Sequence, residues 1–253
     1  MSEQIGKRNI ERLDTVDSTN TVLKTRIAQG LTDPSLVYAV TANEQTSGRG
    51  RRGRIWLNTE GALMMSIAVH IDDPALAPLA SVVSALAAYS TIRPYCPNAR
   101  IKWPNDVVAV HDGELRKLCG ILSELVVSPN GDWFTVLGTG INANCAAIPG
   151  GLLQPASSIY LETGRTTDLT ALSYSLYDNT VNYMDLLRND SAELLKLYSK
   201  NCVTIGSEVK VIGSDGVSYF GKAESIDEFG RLNVVSCGEI RTVSAADVSV
   251  RSA

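Results

Sequence analysis

The feature of this sequence that most constrains its fold is a series of apolar segments joined by short polar turns in the middle of the chain. Four segments have the length and composition of strands, at residues 100–103, 107–110, 117–127 and 133–141. The tetrapeptides at residues 111–114 and 129–132 separate the last three and have the polar, glycine-containing composition of hairpin turns. Because strands joined by tight turns run antiparallel, the series favours a mixed or largely antiparallel sheet over a doubly wound one.

Three more strands and four helices are predicted around this series. The strands are expected at residues 9–14, 36–42 and 62–71, and the helices at 21–29, 79–92, 169–187 and 192–198. Gly30 and Pro94 follow the first two helices as stop signals, and Asp168 caps the third. The segment 36–42 is continuously apolar, which predicts burial on both faces. We expect an α+β protein whose mixed, mostly antiparallel sheet has helices packed on one face.

The composition of the chain changes near residue 201. Short strands then recur at regular spacing, at residues 208–212, 217–223, 232–235 and 240–243. Turns rich in glycine separate them, as in a small five-stranded barrel. We therefore expect two domains, a larger one at residues 1–200 and a small β-domain at residues 201–253.

The composition argues against several classes of protein. A formal net charge of −4 is unfavourable for general nucleic-acid binding. The five cysteines contain no Cys-x-x-Cys pair and there are two histidines, so we expect reduced thiols in a cytoplasmic protein and no histidine-rich zinc site. No apolar run reaches the roughly 18 residues of a membrane span, and the first residues lack the apolar core of a signal peptide. We therefore expect no membrane partner.

One short stretch is strongly basic against this acidic background. Residues 48–54 contain four arginines and three glycines. The glycines disfavour a stable helix or strand because each costs backbone entropy, which predicts a mobile loop. Guanidinium groups and exposed backbone N–H groups suit a bound anion such as a nucleotide triphosphate or an acyl phosphate. A solvated basic loop without a ligand and a nucleic-acid-binding arm are the alternatives.

A polar tetrapeptide, Asp17-Ser18-Thr19-Asn20, precedes the first predicted helix. Such residues commonly cap helices by accepting hydrogen bonds from the first N–H groups. Their side chains, together with the free N–H groups of the helix, are equally suited to bind a polar ligand. The tetrapeptide by itself leaves both interpretations open.

Taken in order, these segments resemble the biotin protein ligases over about residues 10–250. The matching residues are the tetrapeptide 17–20, Gln45, the basic stretch 48–54, Trp56, and the segments Lys-Trp-Pro-Asn-Asp at 102–106, Lys-Leu-Cys-Gly-Ile-Leu-Ser-Glu-Leu at 117–125 and Gly-Thr-Gly-Ile-Asn at 138–142. The resemblance implies that the C-terminal β-domain is an SH3-like barrel. It also implies a cytoplasmic ligase that uses ATP with Mg²⁺ and takes biotin as its substrate.

The resemblance further implies a reaction in two steps. The biotin carboxylate attacks the α-phosphorus of ATP to give biotinyl-5′-AMP and pyrophosphate. A lysine of a biotin carboxyl carrier protein domain then attacks this mixed anhydride, forming an amide and releasing AMP. Positioned cations are expected to supply most of the catalysis, because negative charge builds up on the phosphoryl oxygens.

The resemblance assigns the following site residues. Lys102 is the main catalytic residue, in contact with the carboxylate and the α-phosphate, and Arg51 assists it. The biotin site consists of Ser18, Thr19, Asn20, Gln45, Arg49, Gly50, Arg51 and Lys102. The ATP and adenylate site consists of Arg49, Arg51, Arg52, Arg54, Trp56, Lys102, Asn105 and Asn142.

The same comparison leaves several roles open. Lys117 faces the nucleotide or is a surface lysine of a hairpin. Asp106 contacts Mg²⁺, orients Lys102 or caps a turn, so no metal ligand is assigned. Trp103 and Cys119 are expected to pack in the core.

Three other functions are weighed against this one. A lipoate or octanoate ligase shares the catalytic fold, but its ligand lacks the ureido ring that the amide and hydroxyl groups near the loop would bind. A non-catalytic biotin sensor is disfavoured by Lys102 together with the full arginine loop. RNA binding is disfavoured by the overall acidity and the absence of aromatic residues between the arginines.

Two kinds of partner are also considered. Some bacterial biotin protein ligases carry an N-terminal winged helix-turn-helix, whereas this resemblance begins within about ten residues of Met1, so DNA is not an expected partner. Strand edges in the family pair between subunits, which leaves a homodimer open.

Overall fold

The main body of the protein is a seven-stranded sheet. The computed structural model describes residues 8–150, 154–213, 216–245 and 248–252. The strands are β1 (Ile10–Val16), β2 (Tyr38–Gln45), β3 (Ala62–His70), β4 (Ala99–Lys102), β5 (Asp106–His111), β6 (Glu114–Val127) and β7 (Trp133–Asn142). Their order is β1-β2-β3-β7-β6-β5-β4, with β1 and β2 parallel and the other neighbours antiparallel. The prediction of a mixed, mostly antiparallel sheet is confirmed.

Helices cover both faces of this sheet. They are α1 (Thr19–Ala28), α2 (Ala77–Ile92), α3 (Ile159–Thr163), α4 (Leu169–Asn189) and α5 (Ser191–Asn201). Ile67 of β3 lies in the core cluster that includes α2, α4 and α5, whereas Ala68 lies in the cluster that contains Leu23 and Ile27 of α1. Because successive strand residues point to opposite faces, α1 packs on the face opposite to α2. The expectation of helices on one face is therefore wrong; the buried strands β2 and β3 are apolar on both sides and need cover on both.

Two boundaries differ in ways that matter for function. The structure extends β2 to Gln45, three residues beyond the predicted end, so this residue lies at a strand end. Helix α1 begins at Thr19, two residues before the predicted start, which places the polar tetrapeptide at the helix N-terminus itself. The short helix α3, which the sequence pattern did not predict, precedes Asp168.

A second, smaller sheet follows α5. It consists of β8 (Glu208–Gly213), β9 (Ser218–Ile226), β10 (Leu232–Ser236), β11 (Glu239–Val243) and β12 (Val248–Ser252), in the antiparallel order β11-β10-β9-β8-β12. Five strands were predicted, although the sequence pattern located only four of them. Trp103, which is 2% exposed, joins this region to the main sheet: its backbone N–H donates to Thr204 Oγ1 and its Nε1 donates to the Gly230 carbonyl, both at 3.0 Å. Its predicted role in packing is confirmed.

The expectation that no apolar run reaches the length of a membrane span is wrong for the stretch Pro74–Ile92. This stretch is 19 residues long and apolar enough to pass a length and composition test for a membrane span. Most of it is buried inside the fold, where α2 packs against the sheet and α4. We interpret it as the core helix of the main sheet.

The cysteines are free thiols, as predicted. Cys96, Cys119, Cys145 and Cys202 are buried, and Cys237 is exposed. Burial raises the pKa of the Cys119 thiol well above its ordinary value, and it raises the pKa of Cys96 to about 11. These thiols are therefore protonated at neutral pH and act as small core residues.

Candidate functional site

A cavity of about 500 Å³ opens beside the N-terminus of α1. Three glycines on the adjacent strands β6 and β7, Gly120, Gly138 and Gly140, line it, and Gly120 is paired directly with Gly140. A Cβ atom on Gly120 would lie 2.6 Å from the Trp56 ring, and a Cβ atom on Gly138 or Gly140 would overlap Asn20 or Trp56. The glycines thus leave room for two side chains that line the cavity. Sequence reasoning matched this motif but did not identify its role as space.

The structure brings most of the predicted site residues together. Those that line the cavity are Ser18, Thr19, Asn20, Gln45, Arg49, Gly50, Arg51, Arg54, Trp56, Asn105 and Asn142. Lys102 and Arg52 are not among the lining residues that the structure describes. Lys117 and Gln154 line the cavity, although the sequence left Lys117 open and did not consider Gln154.

One end of the cavity is polar and built on the start of α1. The Ser18 side chain makes no capping hydrogen bond, so the structure does not support its role as a cap. Thr19 donates from its backbone N–H at 2.8 Å and from its hydroxyl at 3.0 Å to Gln45 Oε1. Because β2 extends to Gln45 beside the helix N-terminus, one strand end and one helix end combine into a single polar wall. This wall suits a neutral ligand with both donors and acceptors.

The other end carries the cations of the loop. Arg51 donates from Nη1 to Asn105 Oδ1 at 3.0 Å and from Nη2 to the carbonyl oxygen of Ala245, in the smaller sheet region. Burial is the largest cause that lowers the pKa of Arg51, and repulsion from Arg54 adds to it. An arginine stays charged in any case, so the lowered pKa indicates a partly desolvated cation that would gain from an anionic ligand.

The remaining loop arginines differ in position. Arg54 donates from its backbone N–H to the Arg51 carbonyl at 3.3 Å, which closes a single 3₁₀ turn at Arg51–Gly53, and its Nε donates to the same oxygen at 3.1 Å. Arg52, in the middle of that turn, has a φ of 58° and is exposed. Its neighbours Arg51 and Arg54 line the cavity, whereas Arg52 is not among the described lining residues.

The two lysines of the matched motifs occupy different environments. Lys117 lies on β6, which contributes to the cavity wall, and its Nζ is 2.6 Å from Asp106 Oδ1 and 5.6 Å from the centre of the Trp56 ring. The contact with Asp106 is an ion pair, because its geometry is not that of an aligned hydrogen bond. Lys117 therefore presents its charge at the cavity wall.

Lys102 is not among the described residues that line the cavity. It is 8% exposed and ends β4, the strand at the edge of the sheet, where it pairs with Asp106. With the Gln154 amide oriented to satisfy both neighbours, its oxygen accepts from Lys102 Nζ at 3.2 Å and its nitrogen donates to Asp106 Oδ2 at 3.3 Å. Gln154 lines the cavity, whereas Lys102, its hydrogen-bond partner, is not among the described lining residues. The sequence motif could not show this, because it does not show which strand adjoins the cavity.

The predicted nucleotide contacts are engaged to different extents. Asn105 donates to the Ile121 carbonyl at 2.7 Å while accepting from Arg51, and Asn142 donates to the Ser157 carbonyl at 3.0 Å. Both amides therefore hold loops of the protein in place. Trp56 Nε1 is buried without a hydrogen-bond partner in the described structure. Since buried N–H groups are normally paired, this indole N–H is available to donate to a ligand.

Comparisons with known proteins agree with this geometry. The model of the biotin/lipoate A/B protein ligase family matches residues 13–141, and that of the biotin protein ligase C-terminal domain matches residues 204–251. A biotin–[acetyl-CoA-carboxylase] ligase of Mycobacterium tuberculosis is 33% identical over 251 residues, covering 96% of this chain and 89% of that protein. A bifunctional ligase/repressor of Salmonella typhimurium is 30% identical and covers 99% of this chain and 77% of its own length.

Solved structures show the same relationship. The biotin protein ligase from Aquifex aeolicus in complex with biotin and ATP has a TM-score of 0.81 and 26% identity to this protein. The match covers 98% of this chain and 100% of that one, so it includes both sheets. The family models, the relatives and this shared fold agree. The chain therefore belongs to the biotin/lipoate A/B protein ligase family, in which it groups with the biotin protein ligases.

Proposed function

We propose that this protein activates biotin with ATP to give biotinyl-5′-AMP and then transfers biotin to a specific lysine of a biotin carboxyl carrier protein domain. The observation that carries the proposal is a single cavity with a neutral polar end at Thr19 and Gln45 and a cationic end at Arg51 and Lys117. Its volume of about 500 Å³ lies within the usual range of ligand sites, about 300–1,000 Å³. A ureido ring suits the first end, and the carboxylate with the α-phosphate suits the second.

The cations would allow two anions to react. A carboxylate and a triphosphate repel each other, so Arg49, Arg51 and Lys117 would offset this repulsion and hold the carboxylate in line with the α-phosphorus. The oxygen–phosphorus bond to biotin forms as the bond to pyrophosphate breaks. We assign the contact with both reacting groups to Lys117, because its ammonium lies at the cavity wall. The role predicted for Lys102 remains a prediction to be tested beside it.

The second step needs no nucleophile from the enzyme. The neutral amine of the carrier lysine attacks the adenylate carbonyl, and AMP leaves. The loop at residues 48–54 would cover the adenylate and exclude water until the carrier arrives. Its predicted mobility supports this role, since a loop that opens and closes can admit ATP and then the carrier.

Mg²⁺ would enter together with ATP. No carboxylate is found among the described residues that line the cavity, and no cluster of three metal-ligating side chains occurs in the described ranges. Mg²⁺ usually binds through substrate phosphates together with one or two carboxylates, so the ATP phosphates would supply most of its ligands here. Asp106 is the carboxylate in contact with the cationic end. When bound, the ion would neutralise phosphate charge.

Two further points belong to this proposal. We place the protein in the cytoplasm, which its free buried thiols support, and we do not propose DNA as a partner. A homodimer would use an open strand edge: β5 pairs with β6 only as far as Gly120, so within the described structure residues 121–127 have a strand partner on one side. Analytical ultracentrifugation with and without biotinyl-5′-AMP measures this directly.

The decisive experiment is ATP–pyrophosphate exchange by the purified protein, with biotin in one sample and lipoate in another. Exchange with biotin that disappears when Mg²⁺ is chelated is the expected result. Exchange with lipoate alone would show a lipoate ligase and refute the assignment of the polar end. Tight biotin binding without exchange would instead show a non-catalytic sensor.

A further inference from the structure

A carboxylate outside the cavity is connected to its polar end. Glu124 lies on β6, and its side chain is 26% exposed. It accepts hydrogen bonds from Lys24 Nζ at 2.5 Å and from Asn20 Nδ2 at 2.8 Å. Burial alone would raise the pKa of Glu124, but the hydrogen bonds from Lys24 and Asn20 outweigh it and hold this pKa below its ordinary value. Glu124 is therefore ionised at neutral pH and can only accept hydrogen bonds.

The amide of Asn20 is fully used inside the protein. Its nitrogen donates to Glu124 and, at 3.3 Å, to the Leu122 carbonyl, and its oxygen accepts from Ser66 Oγ at 2.5 Å. Rotating this amide by half a turn would place its oxygen against the Glu124 carboxylate. Gly138 leaves the space that the amide fills. Asn20 thus lines the cavity with its amide held in one orientation by Glu124. Its NH₂ group has no hydrogen left to donate to biotin.

This orientation is passed to Thr19 through Ser66. The Ser66 hydroxyl has one proton and lies 2.5 Å from Asn20 Oδ1 and 2.7 Å from Thr19 Oγ1. Because the Asn20 oxygen faces it, Ser66 donates to Asn20 and leaves its own oxygen toward Thr19. The Thr19 proton can then point to Ser66 or to Gln45 Oε1, both inside the protein. In either case the lone pair of the Thr19 oxygen is what remains for a ligand.

Gln45 supplies the complementary group. Its oxygen already accepts a hydrogen bond from the Thr19 backbone N–H, so its amide nitrogen is what it can offer to a ligand. The polar wall therefore shows an acceptor at Thr19 beside a donor at Gln45. A urea group carries a carbonyl oxygen and an N–H side by side, in the matching arrangement.

We infer that Glu124 is a positioning residue that fixes the hydrogen-bond polarity of the biotin pocket through Asn20 and Ser66, so that the pocket selects a urea. The inference deepens the proposed function and rests on it. In Glu124→Gln the new amide can donate as well as accept, so Asn20 can adopt both orientations. Ser66 then donates to Thr19 in part of the molecules, and the wall no longer has a single polarity.

The test compares biotin with 2-iminobiotin, in which a cyclic guanidine replaces the urea and removes its carbonyl acceptor. Calorimetry measures both affinities for the wild-type protein, Glu124→Gln, Lys24→Met and the surface control Glu193→Gln. The wild-type protein is expected to prefer biotin strongly. Glu124→Gln should weaken the binding of biotin by about tenfold and leave the binding of 2-iminobiotin unchanged. The ratio of the two affinities therefore falls about tenfold.

The two control variants separate orientation from general stability. Lys24→Met removes the partner of Glu124 but keeps the carboxylate, so the ratio should stay at the wild-type value. Glu193→Gln breaks an exposed ion pair with Lys196 on α5. Neither residue lines the cavity, so the affinities for biotin and 2-iminobiotin should both stay unchanged. If Glu124→Gln fails to fold, Ser66→Ala is the substitute, because it removes the hydroxyl that links Asn20 to Thr19. It should lower the ratio of the biotin affinity to the 2-iminobiotin affinity in the same way.

Other outcomes have distinct meanings. If Glu124→Gln weakens the binding of both ligands equally, Glu124 has only a structural role. If neither affinity changes, Glu124 does not act on the site. Either result overturns the inference and leaves the proposed function standing. Failure of the wild-type protein to bind biotin would overturn the proposed function and the inference with it.

Discussion

Lys117 and Lys102 both lie near the Asp106 carboxylate, but in different surroundings. Lys117 contacts it directly and lines the cavity, whereas Lys102 reaches it through the Gln154 amide and is not among the described lining residues. A cation stabilises a transition state only where it approaches the charge that develops. Position therefore favours Lys117, although the motif that contains Lys102 was the stronger signal in the sequence.

We expect Lys117→Ala to slow adenylate formation by about 100-fold or more, the usual effect of removing one positioned electrostatic group. Lys102→Ala should have a smaller effect on the rate, because its ammonium does not line the cavity. Single-turnover formation of biotinyl-5′-AMP measures both, and circular dichroism checks that each variant is folded. A larger loss in Lys102→Ala than in Lys117→Ala would return the catalytic role to Lys102.

The loop at residues 48–54 is a structural element that is held in place by one of its arginines. Arg51 ties it to Asn105 on one side and to Ala245 on the other. Because Arg51 and Asn105 line the cavity, these contacts would hold the loop against a bound adenylate.

Arg51→Gly is therefore expected to release biotinyl-5′-AMP into solution at least about tenfold faster, since it removes a charged hydrogen-bonding group. The dissociation rate of preformed adenylate, followed by chase with unlabelled biotin and ATP, is the measurement. Arg52→Gly is the matched control, because Arg52 belongs to the same turn but does not line the cavity. Equal rates for Arg51→Gly and the wild-type protein would disprove the protective role.

The paired glycines of β6 and β7 are a second feature of this scale. A Cβ atom on Gly140 would overlap the Trp56 ring, whereas one on Gly150 would meet no atom within 4 Å. Gly140→Ala should displace Trp56 and raise KM for ATP by about tenfold or more, as expected when a small shift misplaces a binding group. Gly150→Ala should leave KM unchanged. An unaltered KM in Gly140→Ala would show that Trp56 does not contribute to the nucleotide site.

At the scale of the whole molecule, Trp103 joins the two sheets. It follows Lys102 at the end of β4, and its indole donates to the Gly230 carbonyl across the boundary. The division into domains at residue 200 remains a prediction, but these contacts show that the second sheet packs against the strand that carries the Lys-Trp-Pro-Asn-Asp motif.

Trp103→Phe keeps most of the apolar contact and removes the hydrogen bond, which leaves the Gly230 carbonyl without this donor. We expect a loss of about 1–3 kcal/mol in the free energy of unfolding. For a chain of this size each kcal/mol corresponds to about 2–4 °C in Tm. Denaturant titration and calorimetry measure the two quantities. A stability within error of the wild type would mean that water replaces the lost donor.

The secondary structure was largely predictable because strand and helix patterns are local. The hairpin turns around residues 111–114 and 129–132 identified an antiparallel series, and the structure confirms it. The motifs likewise identified most of the residues that line the cavity. The face of the sheet on which α1 packs was not predictable, because a continuously apolar strand such as β3 gives no indication of which side receives which helix.

The sequence by itself determined the strand and helix content, the position of the basic loop and the family of the protein. These properties depend on short-range patterns and on residue identity, which can be read directly from the sequence. Only the tertiary structure decided which lysine lines the cavity and that Asn20 is used internally through Glu124. The reason is physical: Asn20 and Glu124 are 104 positions apart, and contacts of that range depend on strand order and register, which local patterns do not specify.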